Sequence, residues 1–270
     1  MTATNSPSPS IPGIVAITER AKLSFLAKDY EGAIREYRSA IQEQVKLLND
    51  DDDEEDVSNR HQSINIVPPL RHDDYIHPET SSMGEWILPK LFSFRLVVVA
   101  TAQPFPAHHP NENDMVQEMG IVCAALMFNL ALAHHLQALS SHTTLTSAKN
   151  STSTTTTMLH WAIQAYQHGI KISQQIDIGD VGPTRYSYLA SIVPVVKIAT
   201  GNNLCALLAH EVHDHSGLSQ TVQWTEAQVP KLHRISSPMT FPTQGWPFVY
   251  FFLSNALVWR GLACNPASVA

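Results

Sequence analysis

The 270-residue sequence predicts a mainly α-helical protein in which antiparallel helix-turn-helix pairs stack as a short, decorated α-solenoid. Several segments place apolar residues three and four positions apart, which is the spacing of one helix face. Two of these segments repeat one pattern, AIREYRSAI at 33–41 and AIQAYQHGI at 162–170. The chain shows no regular alternation of strand and helix patterns, so a parallel α/β fold is not expected.

The N-terminal part of the chain predicts a loose segment followed by one helical pair. Residues 1–13 are rich in Ser and Pro, and we expect them to be disordered. Residues 14–48 carry two apolar helical stripes separated by a short turn at Asp29 and Tyr30. A connection of two or three residues requires the two helices to be antiparallel.

Residues 49–112 are predicted to be an acidic loop and a Pro-rich insertion. Asp50 to Asp56 is an unbroken run of seven acidic residues, and the remaining acidic residues equal the basic residues in number. Such a run is typical of a solvated, disordered loop, and a docking site for a basic partner is the alternative. Alternating apolar residues from Phe92 to Val98 allow a small β-hairpin within 60–103.

Residues 113–270 are predicted to form the main helical domain. Its first helix, from about residue 112 to 139, is apolar on nearly all faces, which indicates neighbours on both sides. The Ser/Thr-rich stretch 140–157 is predicted to be a mobile, low-complexity linker. Further helices are expected at 158–174, 189–213, 219–231 and 246–262, and the last of them is expected to cap the stack.

The repeated segments resemble the second helix of the tetratricopeptide repeat. They carry a small, an aromatic and a second small residue at i, i+4 and i+7, namely Ala33, Tyr37 and Ala40, then Ala162, Tyr166 and Gly169. FNLALAHH at 128–135 and NNLCALLAH at 202–210 resemble the first helix of that repeat, and Trp224 with Ala227 resembles a third second helix. The chain is similar to divergent tetratricopeptide-like (TPR-like) proteins of uncharacterised families of unicellular algae.

The resemblance implies a non-catalytic scaffold or adaptor that binds a peptide or another protein on a concave helical surface. The motif positions on that surface are Lys22, Phe25, Phe128, Asn129, His135, Asn202 and Asn203. Asn side chains both donate and accept hydrogen bonds, which suits binding to a peptide backbone. Bracing of neighbouring helices by Asn129 and Asn203 is the alternative. Because Leu130 lies 90 positions after Ala40, the first pair need not stack directly on the second.

The cluster HEVHDH at His210 to His215 is the strongest candidate for chemistry. The zinc-protease motif requires a second His four residues after the first, but that position is Asp214. We therefore predict a histidine cluster at a helix end, no catalytic residue, no cofactor and no bound metal. The alternative is a metal-dependent hydrolase that uses His210, Glu211, His213 and Asp214.

The remaining features predict an intracellular protein, cytoplasmic or nuclear. Cys123, Cys205 and Cys264 lie in apolar helical segments and are expected to be buried in a reducing compartment. Nucleic-acid-binding proteins usually have a basic patch, and the sequence shows none, so we expect no nucleic-acid partner. The N-terminus does not resemble a secretory signal. The apolar stretch Trp246 to Trp259 is shorter than the ~20 residues that span a bilayer. A buried terminal helix is expected there, and a membrane-associated adaptor is the alternative.

Overall fold

A computed structural model describes residues 11–49, 63–67, 75–76, 91–92, 97–101, 112–144, 152–176, 187–231 and 245–264. The prediction of a mainly α protein is confirmed for these residues. The helices are α1 (Ile11–Leu26), α2 (Tyr30–Asn49), α3 (Glu112–Thr144), α4 (Thr152–Gln175), α5 (Ser187–Ala206), α6 (His215–Glu226) and α7 (Gly245–Cys264). A π-helical turn, Leu207–Val212, continues α5.

Four short strands lie between α2 and α3 in the sequence. β1 (Ser63–Val67) pairs antiparallel with β4 (Val97–Thr101), and β2 (Tyr75–Ile76) pairs antiparallel with β3 (Leu91–Phe92). These are separate two-stranded pairs, and the segments that join them lie outside the described residues. The predicted hairpin is therefore not confirmed. Asp50 to Asp56 and the first ten residues of the predicted disordered segment 1–13 also lie outside the described residues. Residues 11–13 belong to α1, so the expectation of disorder is wrong for these three.

Each described helix packs against the next one along the chain, from α1 to α7. Although 62 residues separate α2 from α3, these two helices are in direct contact. The long insertion therefore does not keep the first helical pair apart from the second. α5 has a central position, because it packs against α3 and α7 as well as against its neighbours α4 and α6.

The repeated small-aromatic-small stripes face the interior, as the sequence predicts. Ala33, Tyr37 and Ala40 are all buried, and Ala162, Tyr166 and Gly169 are buried in the same way on α4. A Cβ added at Gly169 would lie 3.6 Å from Cβ of Met127 on α3, so this glycine lies where α4 passes close to α3. The stripes thus bring consecutive helices together.

The starts of α2 and α6 have the same cap. Asp29 Oδ1 accepts a hydrogen bond from the Gly32 backbone N–H at 2.9 Å. Asp214 Oδ1 accepts one from the Gly217 N–H at 3.0 Å. Asp at an N-cap satisfies a backbone donor that has no partner within the helix. The sequence pattern Asp-x-x-Gly therefore fixes the start of both helices.

The residue before each of these caps is left-handed. Lys28 has a φ of 60° and His213 a φ of 56°, the conformation in which many helices end. The N–H after Lys28 donates to the Ser24 carbonyl, five residues back, whereas the N–H after His213 donates to the Leu208 carbonyl, six residues back. The turn after α5 therefore has the same form as the turn after α1 but contains one additional residue. The π turn accommodates that residue.

The linker predicted at 140–157 is wrong in most of its length, because α3 and α4 extend into it from both sides. The hydroxyls of Ser140 and Ser141 both donate to the Gln137 carbonyl, at 2.9 and 2.8 Å. Thr155 in the first turns of α4 is buried. Local hydroxyl–carbonyl bonds and burial let these polar residues continue a helix, which their composition alone did not indicate.

α6 departs from the predicted repeat. Ala227, expected as a small packing residue, is exposed beyond the end of the helix. The buried face of α6 instead includes Leu218, Val222 and Thr225. A Cβ added at Gly201 of α5 would overlap Oγ1 of Thr225, so the two helices lie too close at this position for any larger residue.

The three cysteines have different environments. Cys205 is buried and Cys123 is half-buried, but Cys264 is exposed at the end of α7, so the expectation that all three are buried is wrong for Cys264. Burial raises the pKa of the Cys123 thiol to about 11 and also raises the pKa of the Cys205 thiol. Both internal thiols therefore stay protonated and unreactive at neutral pH.

Ala162→Leu is expected to lower the free energy of unfolding by about 1–3 kcal/mol, because three added carbon atoms must enter a filled contact. Gln164→Leu is the control, because Gln164 is exposed on the same helix and should change stability by no more than about 0.5 kcal/mol. Chemical denaturation of both variants measures the difference. Equal stabilities would contradict the packing role of the repeated stripe.

Candidate functional site

A network of buried amide groups joins α4, α5 and α7. Asn202 Oδ1 accepts hydrogen bonds from Asn255 Nδ2 at 2.7 Å and from Trp259 Nε1 at 3.2 Å. Asn202 Nδ2 donates to Asn203 Oδ1 at 3.1 Å, and Asn203 Nδ2 donates to the Tyr166 hydroxyl at 3.3 Å. We call these five residues the amide network. Buried amides without partners would destabilise the fold, so this network fixes the position of α7 and α4 relative to α5.

Aromatic and histidine side chains surround the amide network. The Tyr166 ring lies 6.1 Å from the Phe128 ring and 6.3 Å from the His135 ring, measured between centroids. On the other side, the His210 ring lies 5.5 Å from the Trp259 ring. Among the described residues, no hydrogen-bond partner reaches the buried His135 Nδ1 or the buried His210 Nε2.

Both of these histidines are held in the neutral form. Burial, and then the repulsion that a second protonated ring at His210 would exert, lowers the pKa of His135 to about 3. Burial, and then the charge of His213, lowers the pKa of His210. A protonated imidazole here would be a poorly solvated charge, so the fold favours the uncharged ring at neutral pH.

The structure brings most of the sequence-predicted site residues together, but inside the protein. Asn202 and Asn203 belong to the amide network, and Phe128 and His135 pack against its Tyr166 ring. Asn129 and Phe25 are also buried. Lys22 is half-buried, with its ammonium group 3.4 Å from the Glu19 carboxylate. The expectation of an accessible concave surface is therefore wrong for the six buried residues, because neighbouring helices cover them. For Asn203, the hydrogen bonds agree with the bracing alternative.

The HEVHDH cluster is divided among different local roles. His210 lies in the π turn against Trp259, whereas His213 has the left-handed conformation and its Nδ1 is 3.1 Å from the Ala209 carbonyl. The Asp214 carboxylate caps α6. Within the described residues, no three His, Cys, Asp or Glu side chains lie close enough together to share a metal ion.

A second cluster lies at the surface, where α2, α3 and α4 meet. Arg38 Nη2 is 3.3 Å from His134 Nε2, and the Arg38 guanidinium carbon is 5.5 Å from the centroid of the Trp161 ring. The His134 and Trp161 rings are 5.4 Å apart. Arg38 is exposed and Trp161 is 43% exposed, while His134 is buried below them. We call these three residues the Arg38–Trp161 cluster.

The buried histidine orients the exposed arginine. An arginine can only donate, so His134 Nε2 accepts and the neutral ring carries its proton on Nδ1. Burial, and then the positive charge of Arg38, lowers the pKa of His134 to about 4. The ring therefore remains a hydrogen-bond acceptor for Arg38 throughout the neutral pH range, and the stacked indole limits the movement of the guanidinium further.

Sequence reasoning missed this cluster, although the sequence contains a signal for it. Trp161 directly precedes the buried Ala162, and Arg38 directly follows the buried Tyr37. Neighbouring residues on a helix point about 100° apart, so a residue beside a fully buried stripe turns toward the edge of the contact. A large aromatic and a cation at such edge positions indicate a surface feature.

α3 also contains a stretch, Met119–Ser141, that is long and apolar enough to cross a membrane by length and composition. Most of this stretch is buried among the other helices. The core helix of a globular protein has the same composition, so this feature gives no support to a membrane role.

Comparison of the chain with protein-family models, with curated proteins and with solved structures finds no match. The contacts within the chain are therefore the basis for the function proposed below.

Lowering the pH should destabilise the protein through His134 and His135. Their pKa values are lower in the folded state than the ordinary value near 6.5. Below about pH 6.5 the unfolded chain therefore binds more protons than the folded protein does. The stability that the two neutral rings contribute is fully present above that pH, and it is lost as the pH falls toward 4 for His134 and 3 for His135. We expect a loss on the order of 1 kcal/mol per pH unit for each ring.

Chemical denaturation between about pH 7 and pH 5 measures this slope. His135→Gln removes one buried titrating ring and should make the slope shallower. His168→Gln is the control, because His168 is exposed on α4. An unchanged slope in His135→Gln would contradict this account.

Asn202→Leu is expected to be among the most destabilising changes in α5, at about 2–5 kcal/mol, because it removes an acceptor shared by two buried donors. Tyr166→Phe removes one hydroxyl at the end of the same network and should cost about 0.5–1.5 kcal/mol. Urea unfolding of the two variants tests this order. If Asn202→Leu were as stable as Tyr166→Phe, the amide network would not have the structural role assigned to it.

Proposed function

We propose that this protein is a non-catalytic interaction scaffold that binds a segment of another protein at the Arg38–Trp161 cluster. The observation that carries the proposal is the exposed Trp161 ring, which packs against His134 and Arg38 where three helices meet. Trp and Arg are the residues most enriched among those that dominate binding energy at protein interfaces. A rigid exposed Trp loses little conformational entropy when a partner binds.

The helix arrangement supports the scaffold part of the proposal. Every described helix packs on the next one, and α1–α2 and α5–α6 are joined through equivalent caps. In this proposal the helical pairs form a short, TPR-like α-solenoid. Such stacks present their outer ridges and grooves to partners while neighbouring repeats bury the apolar faces.

The position of the proposed surface differs from the one that the sequence resemblance implies. The first helices, α3 and α5, carry their candidate residues inward, toward the amide network. The Arg38–Trp161 cluster instead uses the second helices α2 and α4, with α3 below them. The proposal therefore keeps the class of function and moves the binding surface.

The proposal also places the protein in an intracellular compartment, cytoplasmic or nuclear. The three cysteines among the described residues are free thiols, and two of them lie within the helical core or at its edge. Free thiols of this kind persist in a reducing environment.

Affinity capture with the purified full-length chain, followed by mass spectrometry, tests this function. At least one protein captured by the wild type is expected to be lost with Trp161→Ala, because that change removes the exposed ring. Leu257→Ala is the matched control, because Leu257 is 70% exposed on α7 and lies outside the cluster.

Both variants should retain the wild-type unfolding free energy to within about 1 kcal/mol, because both side chains are partly or largely exposed. Identical sets of captured proteins from wild type and Trp161→Ala would contradict binding at this cluster. Direct titration of the captured protein against both variants then measures the loss of affinity.

A further inference from the structure

The charges around the Arg38–Trp161 cluster indicate the chemistry of its partner, and this inference rests on the proposed function. We propose that the partner presents an acidic peptide segment, in which a carboxylate binds Arg38 and a neighbouring apolar side chain packs on Trp161.

Arg38 is the cation on α2 that lacks a carboxylate among the described residues. The three acidic residues of α2 each have another cationic partner. The pairs are Glu31 with Arg35 at 3.9 Å, Glu36 with Arg20 at 2.9 Å and Glu43 with Lys46 at 2.8 Å. Arg38 contacts an imidazole and an indole ring instead, and neither of these groups neutralises its charge.

The helices that surround Arg38 add no negative charge near it. The α4 sequence contains no Asp or Glu, and α3 contains no charged residue from Met119 to Thr144. His168 is exposed on α4 and, seven residues after Trp161, lies on the same helix face. Although the whole chain has a net charge of −7, this surface therefore favours an anionic partner.

The geometry of the guanidinium suits a carboxylate. Arg has five N–H donors in a planar fork, and the contact with His134 Nε2 uses the Nη2 end. The remaining donors can bind a carboxylate with two parallel hydrogen bonds. Because the guanidinium is already held over Trp161, little of its freedom is lost on binding.

Trp161 supplies the second half of the recognition. Trp161 is 43% exposed, so part of its surface is available to an apolar side chain. An acidic residue next to an apolar one in a peptide would satisfy both contacts at once. A purely charged ligand would leave the indole surface in water.

The test uses the full-length protein and a fluorescent peptide of alternating Glu and Leu residues. Fluorescence anisotropy should show that this peptide binds at least about tenfold more tightly than the same peptide with Gln in place of every Glu. Arg38→Gln should remove this difference. Arg35→Gln is the matched control, because Arg35 is exposed on the same helix and already paired with Glu31, and it should change affinity by less than about twofold.

Two further measurements make the assignment specific. Arg38→Lys keeps the charge but loses the planar fork, so its affinity should lie between those of wild type and Arg38→Gln. Binding of the Glu–Leu peptide should weaken as salt is added, because the attraction is between exposed charges. Denaturation of each variant checks that the fold is intact.

Equal binding of the Glu and Gln peptides, or unchanged binding with Arg38→Gln, would overturn the acidic-partner inference. Tighter binding of a phosphoserine version of the peptide would also overturn it in favour of a phosphate ligand. If a captured protein depends on Trp161 but the Glu–Leu peptide shows no dependence on Arg38, the scaffold function stands and the acidic partner fails. If Trp161→Ala weakens the binding of neither a captured protein nor the Glu–Leu peptide, both proposals fail.

Discussion

The rest of the structure depends on two adjacent amides, Asn202 and Asn203, in the middle of α5. Both are buried, and a buried amide without partners costs about 1–3 kcal/mol for each unsatisfied group. Their hydrogen bonds extend to α4 through Tyr166 and to α7 through Asn255 and Trp259. Apolar packing alone would tolerate some sliding of these helices, but directional hydrogen bonds accept only one register. The amide pair thus gives the helical core a single arrangement.

This constraint explains why polar groups that suggest binding are inside the protein while a tryptophan is outside. α5 packs against four other helices, so its buried polar side chains, such as Asn202 and Asn203, must find partners in the interior. One face of α4 packs against α3 and α5. Trp161 lies at the edge of that face and is partly exposed at the surface. The neutral His134 connects the two environments, because it is buried in α3 yet fixes the exposed Arg38.

The sequence was sufficient for the class of fold and for the buried faces of α2 and α4, because the repeated stripe at Ala33, Tyr37 and Ala40 indicates which side of a helix is covered. It was not sufficient for the helix ends within 140–157 or for the buried face of α6. It was not sufficient for the binding surface. A motif position such as Asn202 specifies a helix face, whereas burial depends on whether a distant segment, here α7, covers that face. The contact between Arg38 and His134 joins residues 96 positions apart, and no local pattern encodes such a pairing.

The π turn at Leu207–Val212 makes the protein sensitive to the deletion of a single codon in this stretch. The closing hydrogen bond to Leu208 spans one residue more than its counterpart at Ser24, so this turn contains one residue, and the gene one codon, more than the turn after α1. Removing that codon would turn everything beyond it by about 100° and shift it by about 1.5 Å relative to α5. His210 could then not remain against Trp259 while Thr225 remained against Gly201. A three-nucleotide deletion in this stretch would therefore damage the molecule more than most substitutions, even though it preserves the reading frame.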